Sequence, residues 1–304
     1  MKKFLTIAIA ILAAAVALNA TEPEKVNYVT NTYDLSGFKG LSVSSVVDVR
    51  LRKSNDYSVQ VSVPDVLEKY LVVKVDGNVL KIGLKNAPQS IVRKLRDWSI
   101  IADLTMPELT SLDMSGASKF HCPDAFNLGQ KTFSLDISGA SKITSLRVSA
   151  ARFNADISGA SSLNITANAS LANFDISGAS KGELNLNAHK MNLDASGASK
   201  LTFNGEYRTF KMDVSGASSL NLNGKADVLD AELSGACKLS ADEFVANDVK
   251  LELSGACKAW VYAANSIDID ASGASSLTYR TPEGRDIAVN FHEVSRSSSV
   301  RKAN

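Results

Sequence analysis

The sequence predicts an all-β chain wound as a single-stranded parallel β-helix, a solenoid of about 19–20 residues per coil. Three observations carry that prediction. The tetrapeptide Ser-Gly-Ala-Ser, or Ser-Gly-Ala-Cys, occurs nine times, with its glycines at Gly116, Gly139, Gly159, Gly178, Gly197, Gly216, Gly235, Gly255 and Gly273. Before each glycine apolar residues recur at every second position, as in Phe153, Ala155 and Ile157 or Phe210, Met212 and Val214. After it a second alternation begins, as in Leu201 and Phe203 or Leu220 and Leu222. A fixed period near twenty marks units that bury their apolar face only by stacking on neighbours. A period of two marks strands with one face in the core and one in water.

The elements follow in chain order. Residues 1–20 read as a signal peptide that is removed: Lys2 and Lys3 precede an apolar run over 4–18, with Ala20 as the cleavage residue. The run is short for a membrane span, so the mature chain is expected to carry no transmembrane segment. Residues 21–110 form a less regular β-rich segment, continuous with the solenoid or capping it. Within it a hairpin is expected to turn at Asp76-Gly77-Asn78. Residues 111–280 hold the repeats, each read as strand, corner, strand, corner. At a strand spacing of ~4.8 Å the nine corners make a rod of about 38 Å. Residues 281–304 are the C-terminal cap and tail.

Each corner glycine is expected to hold a backbone angle that a side chain would oppose. The alanine after it suggests a bend too tight for a larger residue. Cys237 and Cys257 take the place of the second serine in consecutive coils. They are either small stand-ins for serine or partners in a cross-coil disulfide, which an exported compartment would permit.

Composition excludes much chemistry. The net charge is +1, from 33 Lys+Arg against 32 Asp+Glu, so no nucleic-acid footprint is present. Three cysteines make no disulfide scaffold, and the three histidines have no metal-ligand spacing with one another or with cysteine. Ser138 and Lys142 lie four apart, not the three of a nucleophile with a lysine base. An acid and a Ser recur in equivalent places in every coil, which a scaffold explains and an active site does not. The expectation is that the protein is not an enzyme.

Several segments together resemble a known bacterial family. They are Phe38 through Leu51, the hairpin strand Val79 through Leu84, Met106 through Gly116, the Asp-x-Ser-Gly-Ala-Ser coils, and Leu277 through Pro282. In that order they are similar to the family described as "putative auto-transporter adhesin, head GIN domain", over about residues 36–282. The resemblance implies an exported, β-helical, non-enzymatic protein of the cell envelope, in the periplasm or at the surface.

Two candidate sites emerge. Three residues before each glycine stands an acid, and alternation points it outward. Asp136, Asp156, Asp175, Asp194 and Asp213 form the centre of this column. Either corner N–H groups and the lysines three past six of the nine glycines satisfy these carboxylates, or the acids, with Ser and Asn oxygens, form a face for Ca²⁺ or a cation-bridged glycan. No other cofactor is implied. Trp260 and Tyr262 flank the inward Val261, so both point outward. Either they stack on a sugar ring or Val289 and Phe291 cover them. The function read from this is an adhesin-like envelope protein that binds glycan or another surface polymer through flat polar faces. The alternatives are a structural or stress-related envelope protein without a small ligand and, in third place, a polysaccharide-processing β-helix enzyme.

Overall fold

A computed structural model describes residues 26–303; the signal peptide read at 1–20 lies outside them. The chain is nearly all β and forms a parallel β-solenoid of about 10 turns. Its register is the sequence repeat itself. Strand Ser162–Ile176 pairs in parallel with Lys181–Ala195, and that strand with Lys200–Val214, so Asp175, Asp194 and Asp213 stand in one row. Each long strand bends midway, and its two halves send side chains into one core. Phe203 from the first half meets Phe210 from the second at 5.6 Å between ring centroids.

The corner explains the tetrapeptide. Its glycines have φ between +71° and +88°, the left-handed region that side chains oppose. Stacking adds a second constraint: a Cβ on Gly178 would lie 2.4 Å from the Gly159 carbonyl oxygen below. The Ala179 N–H donates to that same oxygen at 2.8 Å. The second serine turns inward and is buried, and in Ser141 the hydroxyl donates to the Ser138 carbonyl at 3.1 Å. The alanine differs from expectation. It lies exposed on the outside of the bend, so the tight positions are the glycine and the second serine. Cys237 and Cys257 are free, buried thiols. Each donates at 3.1 Å to the carbonyl three residues earlier, the bond the serines make.

The first coils stack out of sequence order. Strand Gly40–Val43 pairs with both Val79–Leu84 and Ser111–Met114. Strand Val47–Lys53 pairs with both Ile100–Met106 and Lys119–Asn127. The coil over 40–53 is therefore sandwiched between the later coil over 79–106 and the start of the repeats. The outermost coil then receives antiparallel strands. Ser58–Pro64 pairs with Ile100–Met106, Tyr28–Tyr33 with Ser58–Pro64, and Leu71–Asp76 closes the hairpin onto Val79–Leu84. Such pairing covers sheet edges that would otherwise recruit other strands.

At the far end Ala288–Val294 stacks on Lys258–Ala271, and Ser299–Lys302 on Ser276–Arg280. No helix among the described residues is long and apolar enough to cross a membrane.

Candidate functional site

The half-coil before each glycine presents two outward rows. Three residues before the glycine, Asp113, Asp136, Asp156, Asp175, Asp194 and Asp213 stack in register and are exposed. Five before it, Asn154, Asn173 and Asn192 form a hydrogen-bonded ladder. The Asn173 amide donates to Asn154 at 2.9 Å, and the Asn192 amide to Asn173 at 2.7 Å. A groove of about 700 Å³ runs along these rows from Ser111 to Asp213.

The carboxylates are not satisfied by the corner. Corner N–H groups go instead to carbonyls of the coil below, as Ser177 does to Ile157 and Ala179 to Gly159, both at 2.8 Å. Asp113 accepts from the Ser42 hydroxyl at 2.9 Å. Among the described residues Asp136, Asp156, Asp175 and Asp194 have neither a hydrogen bond nor an ion pair, and Lys142, Lys181 and Lys200 pair with no acid. Compensation begins further along, where the Lys211 ammonium lies 3.7 Å from Asp230 and 3.5 Å from Glu232, and Lys250 lies 2.7 Å from Glu252. The side thus divides into an uncompensated acid stretch and a mixed stretch.

The electrostatics follow. Partial burial, then the neighbours Asp113 and Asp156, raise the carboxyl of Asp136 above its ordinary range. Partial burial, then Asp175 and Asp213, do the same to Asp194. A carboxyl raised on folding holds its proton better folded than unfolded. It therefore lends stability as pH falls from neutrality through the carboxylate range and withdraws it as pH rises. Two charges one strand spacing apart repel by ~0.8 kcal/mol in water, and exposure and salt reduce that. Asp194→Asn is expected to gain less than about 1 kcal/mol at pH 7 and low salt, with the gain shrinking toward pH 4. Urea unfolding at both pH values checks it, and an unchanged midpoint at pH 7 contradicts it.

The acids come one per coil, and among the described residues no three His, Cys, Asp or Glu side chains converge on a point that could hold a metal ion. Trp260 and Tyr262 are half-buried on strand Lys258–Ala271. The Lys238 ammonium lies 5.3 Å from the Trp260 ring centroid and the Arg280 guanidinium 5.6 Å from that of Tyr262. Val289 and Phe291 do not cover them. These residues stack on Ile267 and Ile269, in the other half of the coil. Cations from neighbouring coils therefore occupy a face of each ring.

The sequence reading missed the amide ladders as bonded structures. A second ladder joins Asn185, Asn204 and Asn223 on the opposite half-coil, at 2.9 and 2.7 Å. Asparagines 19 residues apart at outward positions were the available signal. A second groove of about 770 Å³ follows the other corner, past Asn168, Asn187, Glu206 and Arg208.

The family described as "putative auto-transporter adhesin, head GIN domain" matches residues 37–202 and 181–281. A crystal structure described as a putative adhesin from Parabacteroides distasonis ATCC 8503 is similar over 92% of this chain and 98% of its own, at 17% identity and a TM-score of 0.52. One described as a putative adhesin from Parabacteroides merdae ATCC 43184 is similar over 91% and 96%, at 15% and 0.52. Another from the first organism, described as a putative lipid binding protein, is similar over 91% and 97%, at 15% and 0.50. At such identities the likeness is one of fold. No curated protein matches. None of the descriptions is of an enzyme. With most of the solenoid inside the two matched stretches, the chain belongs to the family described as "putative auto-transporter adhesin, head GIN domain".

Proposed function

We propose that the protein is an exported adhesin-like rod that binds a glycan or other hydroxyl-rich surface polymer along the side bearing Asp136, Asp156, Asp175 and Asp194. The observation that carries this reading is the row of exposed carboxylates without internal partners beside the Asn154–Asn173–Asn192 ladder. Carboxylates accept from hydroxyls in charge-assisted bonds, and amides both donate and accept. A polymer laid along the rod meets the same groups every ~4.8 Å, so weak contacts add through multivalency. The family description supports an adhesive role. Burial pushes the Cys122 thiol up to about 11, away from the reactive thiolate.

The triple variant Asp156→Ala, Asp175→Ala, Asp194→Ala tests it on a glycan array and on whole cells. Saturable binding by the parent chain is expected to weaken at least ~10-fold, since each charge-assisted bond contributes about 1.5–3 kcal/mol. The variant should fold at least as well, because it loses repulsion. Repeating the assay with Ca²⁺ and then with chelator separates direct hydroxyl contacts from cation-bridged ones. Equal binding by parent and variant rejects the acid side as the contact surface, and no binding by the parent favours a structural rod.

A further inference from the structure

The two ends of the rod are finished differently. At the N-terminal end, antiparallel strands and Leu67 close over the core, and Phe38, Val59, Val61 and Leu67 are all fully buried. At the C-terminal end no strand among the described residues covers the last coil. Val289 and Phe291 continue the inward rows of Ile267 and Ile269, yet Phe291 is 54% and Val294 42% exposed. Strands Ala288–Val294 and Ser299–Lys302 each have a partner on one side alone among the described residues. A solenoid end with apolar side chains and free backbone groups is an adhesive edge unless something covers it.

We propose that this end docks a second copy of the same chain, tail to tail. The chain runs one way along one side of the rod and returns along the other. A two-fold axis lying along the strands therefore sets Ala288–Val294 of one copy antiparallel to Ser299–Lys302 of the other, and the reverse, in a closed, self-complementary contact. The first strand bears Glu293 and the second Arg301 and Lys302. None of the three forms an ion pair among the described residues. The same axis brings the acid of each copy toward the bases of the other, and buries Phe291 and Val294 between two cores. Pairing each strand with its own copy would instead set Arg301 and Lys302 against themselves. The dimer does not depend on what the acid side binds. Because each acid-bearing half-coil meets the other half-coil of the partner, the two acid sides would lie on opposite faces of the dimer.

Sedimentation and light scattering of the mature chain test it. The parent is expected to be a concentration-dependent dimer. Phe291→Asp should raise the dissociation constant at least ~10-fold with an unchanged circular-dichroism spectrum, which shows that it still folds. Glu293→Lys should weaken the dimer, and adding Arg301→Glu and Lys302→Glu should restore it. A parent that stays monomeric at ~100 μM overturns the proposal. A Phe291→Asp variant that remains dimeric also overturns it. A triple charge swap no better than Glu293→Lys alone overturns the proposed strand pairing.

Discussion

Gly178→Ala is expected to destabilise the rod by about 2–4 kcal/mol, although the residue is exposed and the added group is one methyl. Two costs combine. At φ +82° an alanine sits in the left-handed region, which costs about 1–3 kcal/mol. Its Cβ also meets the Gly159 carbonyl oxygen at 2.4 Å. Relieving that contact parts the coils at the point where Ala179 donates to Gly159, and the lost bond adds about 0.5–1.5 kcal/mol. The contrast lies at Ser45, which holds φ 79° in the glycine's place one coil before Gly116. Its carbonyl accepts from Ala117 at 2.7 Å, as a corner glycine would. A side chain fits there because the coil beneath has no tight corner: residues 85–99, with the short helix Gln89–Val92, form a longer connection between strands Val79–Leu84 and Ile100–Met106. Ser45→Gly relieves strain but loses the Leu84 N–H bond to the hydroxyl at 3.3 Å. Its net effect should stay within about 1 kcal/mol. Urea unfolding of both variants checks the pair, and a Gly178→Ala midpoint equal to the parent's would show that the corner is not held by stacked backbone.

The same two corners show what was legible in the sequence. From Gly116 to Gly273 most coils repeat similar residue types at similar offsets, so strand and face could be read from the period, and register wherever the spacing stays at 19. Further upstream the period fails for physical reasons. Ser44-Ser45-Val46 performs the bend without its glycine, and residues 85–99 replace a corner altogether. The order of stacking there is fixed by which edges remain to be covered, and no local pattern encodes that. The acid row was found because alternation alone sets its direction. Its hydrogen bonding is not legible from the sequence, because an aspartate beside a bend fits a local turn as well as an open face. In a solenoid the coil below supplies the acceptors: Ser177, Ala179 and Lys181 donate to Ile157, Gly159 and Ser161. What remains for the carboxylates is solvent or a ligand. The asparagine ladders escaped because each residue looks like an ordinary surface polar group until the 19-residue register sets it above its twin.

The core gives the other large effect. Phe133, Phe153 and Phe174 come from successive coils and stack with centroids 5.0 and 5.2 Å apart, the second pair within 12° of parallel. Phe153 is fully buried between the other two. Phe153→Ala removes both ring contacts and leaves a cavity that neighbouring coils cannot fill without breaking register, at a cost of about 3–5 kcal/mol. Because each coil touches only the coils above and below, that loss should stay local. Hydrogen exchange is expected to quicken across strands Thr132–Ile137, Lys142–Ile157 and Ser162–Ile176, while Lys258–Ala271 keeps its protection. Function should divide the same way. Polymer binding along Asp136, Asp156 and Asp175 should weaken, because those acids ride on the loosened coils, while tail-to-tail association through Phe291 should persist. If protection instead falls equally along the whole rod, the coils unfold as one unit, and a defect in any of them reaches both surfaces.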